Sequence, residues 1–267
     1  MKQEKQMVRD TYNKDVPLEW ERLLRHPVEY AITRRYLDRY IKSGDKVLDI
    51  GGGPGRYALY LAEKGCDVTL LDLSDANIVF AKGRAAEQNL AITAICGDAC
   101  FADTLVSGRY DHVLLMGPLY HLPEEADRIK AVNAAIRLLK TNGLLFSAFI
   151  SSYAAVWDYL ARVPETILDP EEDIYYALMS KDEDFSGLSF TQTHFIRPKG
   201  VVSFMEKFPI KKLHLIGGES ILALREPELT QEPPEVLEKW IDFAADLCER
   251  DEFLCLSHHF LHIGRKH

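Results

Sequence analysis

The chain has 267 residues, 47% hydrophobic and 27% charged, enough to bury one large α/β core with a small appendage. A net charge of −9 and a pI of about 5.5 make the surface as a whole repel a phosphate backbone, which disfavours nucleic acid as a partner. No apolar run approaches the roughly 18 residues needed to cross a bilayer, and "MKQEKQMVRD" has charges without an apolar core, so neither a membrane span nor a secretion signal is expected.

The N-terminal segment "DTYNKDVPLEWERLLR" is polar with isolated aromatics, Tyr12 and Trp20, and reads as a flexible tail or as a cover over a site. In "HPVEYAITRRYLDRYI", Pro27 suits a first helical position and Val28, Ile32 and Tyr36 form one stripe, which predicts a helix. From Asp45 the chain alternates strand and helix, the pattern of a parallel sheet with crossover helices. Strands are predicted at 46–50, 67–72, 92–96, 110–116 and 143–149, with helices near 55–64, 75–89 and 124–140. Gly65 and Gly143 are placed where helices stop.

The rhythm breaks after Ile150. Residues 151–200 carry aromatics and the acidic clusters "DPEED" and "KDED", with no obvious strand before "TQTHFI", and read as a mostly helical lid. A short helix in "RPKGVVSFMEKF", a strand in "PIKKLHLIGG", an amphipathic helix in "PPEVLEKWIDFAADLCE" and a last strand in "HHFLHIGRK" follow. The expected organisation is an N-terminal helical cover over 1–45, a cofactor-binding core over 46–150, a lid and substrate-binding insertion over 151–200, and the rest of the same sheet over 201–267.

The five cysteines are an odd, scattered set, three of them beside apolar runs, which suits reduced thiols in a cytoplasmic protein. Cys96 and Cys100 lack a second nearby ligand pair, and the dense His258, His259 and His262 alternate as a strand does, so no metal is expected.

In "KVLDIGGGPGRYALYLAEKG", glycines 51, 52, 53 and 55 join a buried strand to a helix, where missing side chains let the backbone approach a ligand at a positively polarised helix end. Gly53-Pro-Gly55-Arg-Tyr-Ala58 also fits the dinucleotide pattern, with Asp72 about 20 residues on, so these two features leave NAD and an oxidoreductase open. Asp49, inside the first strand, suits a cationic ligand end, and Asp98 follows the third strand. Ligands of open α/β sheets bind across the carboxyl ends of the strands, so Asp49, Asp72 and Asp98 converge on one crevice. Three acids beside a helix N-terminus match the ammonium, ribose, adenine amine and carboxylate of S-adenosylmethionine.

The ordered segments "VLDIGGGPGRYA", "VTLLDLS", "GDA", "YDHVLLMGPLYHLP" and "LLKTNGLLFSAF" resemble the motifs of class I S-adenosylmethionine-dependent methyltransferases, in their small-molecule (type 11-like) branch, over about residues 28–150. The resemblance implies a Rossmann-like α/β fold: a mostly parallel seven-stranded sheet flanked by helices, with the helical lid after the fifth strand. It implies that Gly51, Gly53 and Gly55 line the methionine end, Asp72 binds the ribose, Leu73 packs on adenine, Asp98 and Ala99 recognise its edge, and Met116 and Gly117 border the sulfonium. Asp72 alternatively caps the next helix, and Asp49 alternatively organises the loop. Tyr12 is expected to close over the cofactor.

Methyl transfer is an in-line displacement that needs alignment, exclusion of water and, for a protonated acceptor, a base. Tyr120 and His121, where the fourth strand ends, are the expected catalytic residues, His121 as a base and Tyr120 orienting the acceptor. "GPLY" offers Gly117 where enzymes acting on nucleic-acid amines carry Asn or Asp, so a small-molecule acceptor is expected, with S-adenosylhomocysteine as product. A non-catalytic protein that binds S-adenosylmethionine is the other class.

Overall fold

A computed structural model describes residues 3–267. Three helices lead: α1 (Gln3–Asn13), α2 (Val16–Leu24) and α3 (Pro27–Tyr40). The Asp15 side chain caps α2 by accepting the Leu18 amide, and Pro27 opens α3. Then come β1 (Lys46–Ile50), α4 (Arg56–Glu63), β2 (Asp67–Asp72), α5 (Asp75–Glu87), β3 (Ile92–Cys96), the short α6 (Ala102–Leu105), β4 (Tyr110–Leu115), α7 (Glu125–Leu138) and β5 (Leu139–Ser151). Beyond β5 lie α8 (Ala154–Arg162), α9 (Asp173–Lys181), β6 (Phe185–Leu188), β7 (Gln192–Ile196), α10 (Pro198–Met205) and β8 (Ile210–Gly217). The chain ends with α11 (Glu226–Leu229), α12 (Pro234–Leu247), α13 (Asp251–Leu254) and β9 (His259–Lys266).

β3, β2, β1, β4 and β5 pair in that order, all parallel, and β9 runs antiparallel along β5 with β8 outside it. Those seven strands follow the expected plan, but the sheet has nine. The correction comes from 151–200: beside its helices it contributes the antiparallel hairpin β6–β7, and β7 pairs in parallel with the end of β5. "DFSGL" hides its strand behind Ser186 and Gly187, residues that read as a loop. Ile150 pairs with His259 on one side and Phe195 on the other, so β7 takes the edge of β5 that β4 vacates after Leu115↔Ser147.

Two further expectations are corrected. Gly143 does not stop a helix: α7 ends at Leu138, and Gly143 lies in β5 beside a register shift, where a Cβ would stand 2.8 Å from the Asp111 carbonyl oxygen. Cys96, on the edge strand β3, is exposed rather than core, while Cys66, Cys100 and Cys248 are buried; all five thiols are free.

Each face of the sheet carries its own core. Leu48, Val113, Leu145, Phe149 and Phe260 pack with α7 on one face. Val47, Leu70, Leu114, Phe146 and Ile263 pack with α3, α4 and α12 on the other. Burial on both faces explains why the central strands read as continuous apolar runs. Among the described residues no helix is long and apolar enough to cross a membrane. Phe146 is fully buried in the central strand pair, so Phe146→Ala should cost about 3–5 kcal/mol of unfolding free energy, read as a lowered denaturant midpoint at unchanged m-value.

Candidate active site

Parallel strands end together, so the loops after β1, β2, β3 and β4 meet at one edge of the sheet. They line a cavity of about 250 Å³, which α1, α2 and α3 and the starts of the loop after β8 and of β9 complete. All thirteen expected site residues except Gly55 line it; Gly55 sits behind, as the left-handed N-cap of α4 at φ 92°.

Two backbone approaches shape the floor. A Cβ on Gly51 (φ 71°) would fall 2.4 Å from the Pro118 ring, and one on Gly117 2.4 Å from the Gly51 carbonyl oxygen. The β1 and β4 loops therefore touch back to back. Gly53, also at positive φ (56°), has no protein atom nearer than 3.9 Å to its Cβ position and faces open space.

Asp72 ties this floor to the neighbouring loop. Its Oδ2 accepts the Gly53 amide at 2.8 Å, and its Oδ1 accepts the Ser74 amide at 2.8 Å and the Asn77 side-chain amide at 3.2 Å. Burial raises its pKa while those bonds oppose the rise. Ser74, not Asp72, is the N-cap of α5, through the Asn77 amide.

Asp49 is 1% exposed, and its Oδ2 has no hydrogen-bond partner among the described residues. Burial, with the Asp72 charge adding to it, pushes its pKa up to about 7. A buried carboxyl oxygen without a donor is costly, and a ligand cation or N–H removes that cost.

Asp98 accepts the Cys100 amide at 2.9 Å and the Lys5 ammonium at 2.7 Å, from α1. Arg9 of α1 holds Asp75 at 2.7 Å, and the Asn13 side-chain oxygen accepts from the Ser74 hydroxyl at 2.5 Å. Leu73, Ala99 and Met116 supply apolar lining between these acids.

Over the β4 loop, His121 is fully engaged. Its Nδ1 donates to the Gln192 carbonyl at 3.1 Å, which leaves Nε2 to accept the Tyr12 hydroxyl at 2.7 Å. Burial lowers its pKa to about 4, so the imidazole is neutral and a weak base. Tyr120 donates to the Met116 carbonyl at 2.9 Å and packs edge-on against His121, its centroid 4.7 Å away. No residue of 151–200 lines the cavity; Phe190, Thr191 and Gln192 instead brace His121 and α1 from outside.

Sequence reasoning missed the other end of the cavity. There the loop after β8 sets Glu219 against β9: Glu219 accepts the amides of His258 and His259 at 3.0 Å each and His259 Nδ1 at 2.6 Å. Burial raises Glu219, but the His259 charge and these bonds outweigh it and bring its pKa down to about 2. Glu29, from α3, accepts the Tyr57 hydroxyl at 3.0 Å, and its carboxyl is pushed up by burial. Glu19 and Arg22 of α2 pair at 2.7 Å above it. The signal for this end was topological: an antiparallel last strand begins at the edge where parallel strands finish. Among the described residues no group of three or more His, Cys, Asp or Glu is arranged to hold a metal ion.

Residues 47–143 match the family model of a methyltransferase domain. The chain is 27% identical over 174 residues to the ubiquinone biosynthesis O-methyltransferase of Pectobacterium carotovorum, covering 65% of this chain and 66% of that protein, just under two thirds of its length. It is 29% identical over 184 residues to the protein of that name from Coxiella burnetii, covering 68% and 71%. In fold it is similar to the magnesium protoporphyrin IX methyltransferase of Synechocystis PCC 6803 with bound SAH, at a TM-score of 0.59 and 14% identity over 99% of this chain and 100% of that one.

The raised carboxyl of Asp49 makes a direct prediction. The folded chain keeps a proton at Asp49 that the unfolded chain loses near pH 4, so this site's stabilising contribution is complete below pH 4 and is lost as pH rises through about 7. Asp49→Asn should remove that decline, by up to about 1.4 kcal/mol per pH unit between pH 4 and 7. Denaturant unfolding across that range checks it; parallel pH profiles for both proteins would exclude Asp49 as the source.

Proposed function

With a class I S-adenosylmethionine-dependent methyltransferase domain at its core, this chain, we propose, transfers the methyl group of S-adenosylmethionine to a small-molecule acceptor. The observation that carries the reading is the cavity floor, where the buried, unpartnered Asp49 oxygen lies beside a glycine loop whose Gly53 backbone faces open space and whose Gly51 packs against the β4 loop too closely for any Cβ. A cation and a close-packed ligand backbone fit that donor set. When bound, S-adenosylmethionine supplies an electrophilic methyl on a sulfonium.

The chain's residues do the rest. Asp49 faces the ligand ammonium, Gly51 and Gly53 bring backbone against the methionine end, and the free lone pairs of Asp72 take the ribose. Leu73, Asp98 and Ala99 take adenine, while Met116 and Gly117 border the reacting centre. Adenine binding at Asp98 shares that carboxylate with Lys5, which couples α1 to the ligand. Tyr12, donating to His121, closes the cavity above the β4 loop and keeps water from the displacement. His121 and Tyr120 thus hold the cover in position, and 151–200 supports it from behind. The acidic surface and enclosed cavity favour a small metabolite over nucleic acid, and five free thiols suit a cytoplasmic setting.

Calorimetric titration with S-adenosylhomocysteine tests the reading, since no heat of binding to the folded chain would end it. Asp72→Ala should weaken that binding by roughly 1–3 kcal/mol, through loss of charge-assisted bonds and of the tie to Gly53. Amide exchange should slow in α1 and α2 when S-adenosylhomocysteine is added. Protection confined to the glycine loop would remove these helices from the cover.

A further inference from the structure

Among the basic side chains of the cavity, one has no acid to meet. Lys5, Arg9, Arg22, His26 and His259 all line it, and each holds a carboxylate at 2.6–2.9 Å. Arg56, the first residue of α4, lines it too, yet no carboxylate among the described residues lies within ion-pair distance of its guanidinium. The residue is 7% exposed. Its two terminal nitrogens share a single acceptor, the His26 carbonyl oxygen, at 3.4 Å each, and Nε has none. The guanidinium carbon lies 3.8 Å from the centre of the Tyr30 ring. A ring face and two long bonds to a neutral carbonyl offset a full charge only in part, and a buried cation left unpaired is costly. Glu29 does not make up the difference. It feels the Arg56 charge from beyond ion-pair distance, its Oε1 accepts the Tyr57 hydroxyl at 3.0 Å, and burial pushes its carboxyl up in spite of Arg56.

We propose that the methyl acceptor carries a carboxylate and that Arg56 is the residue that selects it. The proposal rests on the methyltransferase reading above and deepens it. Position separates this anion from the carboxylate of S-adenosylmethionine, which shares one carbon with the ammonium that Asp49 faces, over the glycine loop. The Arg56 guanidinium is drawn instead onto α3 and the corner before it, by the His26 carbonyl and Tyr30. That helix closes the other end of the cavity, where a Cβ on Gly218 would lie 3.1 Å from the Glu29 Cγ. The chemistry of the site sets the class of anion. One guanidinium brings one positive charge, and its planar fork matches the two coplanar oxygens of a carboxylate. A phosphate dianion brings a second charge, which no free cation here meets and which Glu19, Glu29 and Glu219 oppose. Stacking on Tyr30 fixes the guanidinium plane beforehand, so little side-chain freedom is lost on binding. A neutral acceptor would leave Arg56 buried and short of acceptors.

Calorimetry on the chain saturated with S-adenosylhomocysteine tests this, with benzoate, benzamide and inorganic phosphate as probes. Benzoate should bind at least about tenfold tighter than either its neutral counterpart benzamide or phosphate. Arg56→Met should lower benzoate affinity about tenfold or more, and Arg56→Lys should restore part of it, because a point charge lacks the fork. The control ligand is 5′-methylthioadenosine, which lacks the amino-acid part of the cofactor; both variants should bind it and S-adenosylhomocysteine within about threefold of wild type. Wild-type benzoate affinity no higher than that for benzamide, phosphate binding tighter than benzoate, or unchanged benzoate affinity in Arg56→Met would overturn the proposal. So would an Arg56→Met chain that keeps 5′-methylthioadenosine and loses S-adenosylhomocysteine, since Arg56 would then serve the cofactor's own carboxylate. The wild-type comparison needs no variant and decides the matter even where Arg56→Met fails to fold. Failure of the wild-type chain to bind S-adenosylhomocysteine would instead fell the cofactor reading, and this proposal with it.

Discussion

The Asp72 carboxylate accepts the amides of Gly53 and Ser74 at 2.8 Å each, so the loops after β1 and β2 are fixed to one another before any ligand arrives. The contact of Gly51 with Pro118 and Gly117 extends that tie to the loop after β4. Three loops from three parallel strands thus become one floor. Backbone amides in such a floor are oriented at no cost when the ligand binds, which is the sense in which the site is preorganised. The same rigidity strands the Asp49 carboxyl beneath the glycines, buried and one donor short.

The cavity is divided by chemistry. One end, over β1 to β3, is built from short acids and glycines at the starts of helices. Its far end is built from α2, α3, the loop after β8 and the start of β9, and holds Glu29 and the Glu219–His259 pair. Met116, Gly117 and Ala148 add small or apolar lining to the same cavity.

The cover over both ends depends on unequal contacts. Arg9 on Asp75 is exposed and contributes little, as surface pairs do. Lys5 on Asp98 is buried at 8%, and Tyr12 on His121 is enclosed, so these fix where α1 lies. The β6–β7 hairpin matters through one carbonyl: Gln192 sets the His121 tautomer, and with it the direction in which Tyr12 donates.

Apolar runs, glycine positions and strand-end acids made the core legible: β1, β2 and β3 fall on their predicted residues, and Asp49, Asp72 and Asp98 do reach one cavity. Local sequence encodes these because each is a property of one strand and the turn that follows it. The hairpin in 151–200 was illegible since Gly187 and Ser186 carry no strand pattern, and its pairing depends on an edge of β5 that exists only because β4 ends early. His121 read as a free base because its partners Tyr12 and Gln192 lie 109 and 71 residues away. The sequence by itself determined the parallel core and its glycine floor, through periodicity and turn chemistry. Tertiary structure alone decided the far end, because Glu219 meets His259, 40 residues on, only where the chain comes back to the carboxyl edge of the sheet to start an antiparallel last strand.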